Sequence, residues 1–185
     1  METNLSTFLQ IDLQNLFFEA KNKGQRIDFE KIWESFNGRE SEFLTEAMVY
    51  MIRGEDFDSS KFESKLVSLG YKLRIKNSLK LIRDGRTIYR QTNHDVGITI
   101  DALDRMDTYK KWILMSGDGD FAELAKYLRQ HGKKIEIWSF KECYNSSLEP
   151  YADKIHFINE DFFYKKPVVS VFGFTFGPTD RDEKK

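Results

Sequence analysis

Trp112-Ile113-Leu114-Met115-Ser116-Gly117-Asp118-Gly119-Asp120-Phe121 decides how the rest of the chain is read. Its apolar run has the length of a fully buried strand, and it empties into a turn of small residues with two aspartates before a helical pattern resumes at Phe121. In an open parallel sheet, ligands bind at such strand ends. The glycines let the backbone turn sharply and keep bulk away from the carboxylates. Two acids separated by one glycine project from a single turn, where a hard cation can take both. A purely structural role fits the same spacing, because Asp120 with Glu123 three positions on forms a capping box for a helix over 121–130. The spacing leaves both roles open.

Downstream, the helix stops at His131-Gly132, and strands at 135–138 and 154–158 flank a short helix around Leu148. Upstream, a first buried strand at 8–11 ends in Asp12-Leu13-Gln14-Asn15, so a carboxylate again sits at a strand end with Asn15 one helical turn later. Ile27 and Ile32 staple a second helix opened by Asp28, a strand follows at 46–53, and Gly70 stops a helix over 61–69. The strand 71–76 places Lys72, Arg74 and Lys76 on one face by its period of two. Strands 79–82 and 87–90 form a hairpin around Asp84-Gly85. Residues 72–90 carry seven basic side chains, including Arg86 and Arg90, against Asp84 alone, which makes them a candidate phosphate-binding ribbon. Asp95 sits where a helix cap belongs, with Val96, Ile100 and Leu103 as the expected core face, while His94 reads as a surface or packing residue outside the site. The alternation of strand and helix predicts one α/β domain over 1–164. Residues 165–185 form an extension in which 168–176 is expected to add an edge strand or to cover an apolar patch on this or another subunit, ahead of a disordered charged end.

The totals narrow the function. A chain of 185 residues holds one well-buried core, and its net charge of −1 excludes a global attraction to nucleic acid or an anionic membrane, so any polyanion site is a local patch. Cys143 is the single cysteine, which excludes a disulfide framework and a Cys/His zinc set and leads us to expect a cytoplasmic setting. No run has the length of a membrane span, and no signal-peptide pattern opens the chain. A dehydrogenase-type dinucleotide site is excluded because Asp12-Leu13-Gln14-Asn15 lacks the glycine turn. An aspartyl phosphatase requires an acid where Gln14 stands.

The acids Asp12, Asp95, Asp118 and Asp120, in this order and context, resemble the NYN family of PIN-like ribonuclease domains, which includes the LabA-like proteins. The resemblance rests on Ile11, Asp12 and Asn15, on Asp95, Val96 and Asp101, and on Ser116 through Phe121. Gly132-Lys133 and the Ser147-Leu148 and Ala152-Asp153 pairs extend it, while Thr92-Asn93 stands where the family usually has Lys-Gly. It implies a Rossmann-like three-layer sandwich with a mainly parallel sheet of about five strands, plus the basic hairpin. It further implies a metal-dependent endoribonuclease in which Mg²⁺ or Mn²⁺ is bound by Asp12, Asp95, Asp118 and Asp120. Asn15 and Ser116 would orient ligands, and Arg74, Lys76, Arg86 and Arg90 would contact single-stranded or structured RNA. Asp101 lies about 120° round the helix from Asp95 and stands apart from the set. A catalytically silent module that binds RNA or a protein partner is the alternative, and a homodimer is left open.

Overall fold

The computed structural model describes residues 5–39, 41–54, 58–83, 86–90 and 93–164, with backbone alone for 79–83 and 86–90. Thr92, the Asp84-Gly85 turn and the whole extension 165–185, with its expected edge strand, lie outside the described residues. The strands are β1 (Leu5–Asp12), β2 (Glu42–Arg53), β3 (Lys72–Asn77), β4 (Leu79–Arg83), β5 (Arg86–Arg90), β6 (Lys111–Met115), β7 (Lys134–Ser139) and β8 (Lys154–Phe157). The helices are α1 (Leu13–Asn22), α2 (Phe29–Asn37), α3 (Ser60–Leu69), α4 (Asp95–Asp104) and α5 (Ala122–Gln130).

Six strands form one sheet in the order β3-β2-β1-β6-β7-β8, one more than expected, and every neighbouring pair is parallel. β4 and β5 form the expected antiparallel hairpin as a separate ribbon. The order runs outward from β1 in one direction and from β6 in the other. The crevice between their carboxyl ends is therefore the topological switch point where doubly wound folds bind ligands.

Alternation within each strand builds two cores. Leu9, Ile11, Val49, Met51, Ile113 and Met115 face α1, α2 and α3, while Phe8, Met48, Tyr50, Trp112 and Leu114 face α4 and α5. Local chemistry sets the helix ends. Asp28 accepts the amides of Glu30 and Lys31, and Gly70 closes α3 in the left-handed region at φ 106°. A Cβ at Gly70 would also lie 2.5 Å from Trp33.

One face was read incorrectly from the sequence. In α4, Gly97, Ile98, Asp101 and Ala102 are buried, whereas Val96, Ile100 and Leu103 are 66 %, 53 % and 39 % exposed. The helix is apolar nearly all round, so hydrophobicity alone does not choose a face. Polar partners choose it. Trp112 Nε1 donates to Gln10 Oε1 at 2.6 Å, Gln10 Nε2 donates to the Ile98 carbonyl at 3.1 Å, and the Tyr50 hydroxyl donates to Asp101 Oδ2 at 2.8 Å. Arg105 and Arg74 pair with the same Asp101 carboxylate at 2.8 and 3.3 Å. Gly97 gives Arg74 room to approach, since a Cβ there would stand 3.2 Å from its guanidinium.

Candidate metal centre

Asp12 ends β1 and caps α1. Its carboxylate accepts the Asn15 amide at 3.4 Å and the Ser116 hydroxyl at 3.3 Å, and it is 8 % exposed. Burial pushes its pKa up from 3.8 to about 6, helped by the charges of Asp95 and Asp118 and opposed by the two hydrogen bonds. Asn15 and Ser116 both work between the strand ends. The Asn15 side-chain carbonyl accepts the Gly117 amide at 3.0 Å, and Ser116 Oγ, fully buried, accepts the Asp118 amide at 3.3 Å.

Asp118 resolves the choice between cap and site in an unexpected way. It, and not Asp120, caps the turn that follows, accepting the Asp120 amide at 3.0 Å, and α5 begins at Ala122 with Phe121 as its N-cap residue and no side-chain cap. A carboxylate has a second oxygen, so capping leaves Asp118 able to bind a cation as well. Asp95 occupies the first position of α4 and accepts a hydrogen bond from Asn93 Nδ2. Its pKa is raised by burial and then by the charges of Asp118 and Asp120. Among the described residues, Asp95, Asp118 and Asp120 each present an oxygen within 4.8 Å of the other two. Asp12 stands outside that trio but feels the charges of Asp95 and Asp118.

The remaining residues divide. Asp101 is buried and spent on Tyr50, Arg74 and Arg105. Arg74 also donates to the Gly97 carbonyl at 3.2 Å, and Lys76 donates to the Asn93 carbonyl at 2.6 Å, so both brace the start of α4. The side chains of Arg86 and Arg90 lie outside the described residues. His94 packs. It is 2 % exposed, edge-on to Tyr50, with Nε2 2.9 Å from the Met51 carbonyl, and burial lowers its pKa.

Sequence reading missed the loop after β7. A Cβ on Gly117 would stand 2.3 Å from Ser139 Oγ and 2.4 Å from the Cys143 carbonyl. One on Gly119 would meet the Asn145 amide at 2.6 Å. Asn145 donates its backbone N–H to the Gly117 carbonyl at 3.0 Å. Both glycines are thus required by close approach of this loop. The glycines signalled such an approach, but nothing in the sequence said which segment makes it.

A doubly wound parallel sheet with acids gathered at its switch point is the architecture of a PIN-like domain. The NYN domain family model matches residues 6–159. The chain is 32 % identical over 132 residues to the low amplitude and bright protein LabA of Synechococcus elongatus, covering 70 % of each chain. It belongs to the NYN domain family, a PIN-like nuclease family. A protein of unknown function from Vibrio parahaemolyticus has the same fold, with a TM-score of 0.75 at 25 % identity over 89 % of this chain and 99 % of the other.

Proposed function

We propose that this protein is an endoribonuclease that hydrolyses RNA phosphodiester bonds with the help of Mg²⁺ or Mn²⁺. The observation that carries this reading is the approach of three carboxylate oxygens, from Asp95, Asp118 and Asp120, to within 4.8 Å of one another. An all-oxygen donor set suits a hard divalent cation. Burial first, and the neighbouring acids after it, raise the pKa values of Asp12 and Asp95, a cost of ionisation that a bound cation would offset.

Asp95, Asp118 and Asp120 would hold the ion, and when bound it supplies polarisation of the phosphodiester and activation of water. Asp12, whose burial favours the protonated carboxyl, would take up the proton of the attacking water. Ser116 and Asn15 fix that carboxylate and the loop bearing Asp118. Lys76, Arg86 and Arg90 are proposed to bind phosphates along the substrate, with Arg74 contributing mainly through Asp101.

One observation favours the silent module. Asn93 donates to Asp95 Oδ2 and so occupies a lone pair that a cation would use. The two readings separate in an assay of the purified protein on single-stranded and structured RNA with Mg²⁺, Mn²⁺ or EDTA. Internal cleavage with metal, abolished by EDTA and by Asp118→Asn, supports the enzyme. RNA that is bound but left intact in both metals supports the module.

A further inference from the structure

An apolar cavity of about 370 Å³ lies between α1, the turn that follows it and α3, bordered by Leu13, Phe17, Ile27, Phe29, Phe62 and Tyr164. The chain arrives at this cavity in a fixed direction. Asp28 donates its amide to the Phe162 carbonyl at 2.8 Å, Phe163 bridges Ile27 in antiparallel sense, and Tyr164 donates its amide to the Arg26 carbonyl at 3.0 Å. Lys31 and Lys65 hold the Phe163 carbonyl and the Tyr164 hydroxyl at 3.2 and 3.1 Å. Gln25 and Gly24, the next residues along the segment that Tyr164 pairs with, also line the cavity.

We propose that residues 168–176 of the same chain lie along this groove as an intramolecular strap. Their sequence, Val168-Val169-Ser170-Val171-Phe172-Gly173-Phe174-Thr175-Phe176, sets Phe172, Phe174 and Phe176 on one face by the period of an extended chain. Only Lys165, Lys166 and Pro167 separate it from Tyr164, a reach of about 10 Å. α1 has 10 residues and spans about 15 Å, which roughly five extended residues cover. A three-residue tether gives the segment an effective concentration of order millimolar, so it occupies the groove ahead of a second copy at micromolar protein. The family match stops at residue 159, so the strap is an addition to the NYN domain. The far end of the groove is bordered by Leu13 and Gln14, directly after Asp12, so a strap filling it would lie against the helix that Asp12 caps.

Hydrogen exchange read by mass spectrometry on the full chain tests this, comparing wild type with the triple variant Phe172→Asp, Phe174→Asp, Phe176→Asp. Unchanged exchange over β1 and β6 in the variant shows that its fold is kept. Amides of 168–176 should exchange at least about tenfold more slowly in wild type, and peptides covering 13–27 should exchange faster in the variant, independently of protein concentration. Equal rates in the two proteins at 168–176, or unchanged exchange over 13–27, overturn the proposal. Protection that disappears on dilution also overturns it and assigns the groove to a second copy.

Discussion

The Asn15 side-chain carbonyl accepts the Gly117 amide at 3.0 Å, across the boundary between β1 and β6. The same oxygen receives the Cys143 thiol at 3.4 Å, so one side chain joins the start of α1 to the loops after β6 and β7. Asp12 and Asp118 come from segments 106 residues apart, and this bond fixes their separation at the cost of a single ordered amide. The geometry of the acids therefore rests on a neutral residue.

The trio should bind a cation strongly enough to be seen in stability. At about a hundred times its dissociation constant, Mn²⁺ should stabilise the folded protein by roughly 2.7 kcal/mol relative to EDTA. Asp118→Asn should lose most of that increment. Asp101→Asn should keep it while lowering the baseline by roughly 1–3 kcal/mol, because Tyr50, Arg74 and Arg105 lose the buried carboxylate they share. Melting curves of the three proteins in Mn²⁺ and in EDTA decide this, and an unchanged increment in Asp118→Asn removes Asp118 from the ligand set.

Without metal, Asp12 makes the fold prefer acid. Below its ordinary value of 3.8 the carboxyl is neutral in both folded and unfolded states, and above about 6 it is ionised in both. Between those limits the unfolded state ionises first, so stability falls as pH rises, by about 3 kcal/mol at most. The raised pKa of Asp95 acts in the same direction. Asp12→Asn should flatten this part of the pH dependence and be more stable than wild type at neutral pH in EDTA. Urea titrations between pH 4 and 7, compared as wild type minus variant, measure it; a difference that does not change with pH contradicts it.

Gly117→Ala should be the costlier of the two glycine substitutions in the acidic turn. Its Cβ meets the Cys143 backbone carbonyl at 2.4 Å, which cannot rotate away, whereas that of Gly119→Ala meets side-chain ends of Asn145 and Ser147. Overpacking of the first kind costs about 1–3 kcal/mol. Denaturant unfolding should rank Gly117→Ala well below Gly119→Ala, and equal losses would mean that the loop after β7 yields as a unit.

The hairpin makes a separate forecast. Replacing Arg86 and Arg90 by Ser should weaken RNA binding and reduce the slope of log K against log salt by about 1.4, at roughly 0.7 per phosphate contact on a single strand. Arg74→Ser should instead cost stability, because it strips Asp101 of a partner. Binding measured across a salt series reads the first effect, and an unchanged slope excludes the ribbon as a binding surface.

The parallel sheet was readable because buried strands announce themselves as short apolar runs, and Asp12, Asp95, Asp118 and Asp120 because acids at strand and helix ends stand out against them. The burial of α4 was not readable. Val96, Ile100 and Leu103 offer as good an apolar stripe as the one that is buried, and the choice is made by Asp101, whose partners Tyr50 and Arg74 lie far away in sequence. For Arg74 and Lys76 the sequence counts charges beside the hairpin without showing that Asp101 and the Asn93 carbonyl also engage them. Asn145 escaped notice for the same reason, being matched to Gly117 only by folding.

The alternation that divides the two cores has a consequence for chemistry. Along β1, Leu9 and Ile11 go to one layer and Phe8 to the other, so Asp12 and Phe8 share a parity, as do Ser116 and Trp112 along β6. A slip of β1 by one residue would exchange the layers and carry the carboxylate to the side of α1, α2 and α3, away from Asp95 at the start of α4. Such a slip would also part Gln10 from Trp112 and the Ile98 carbonyl. The acid therefore needs no separate device to find its side of the sheet: the odd-even count that buries Leu9 and Ile11 is the count that delivers Asp12 to its partners.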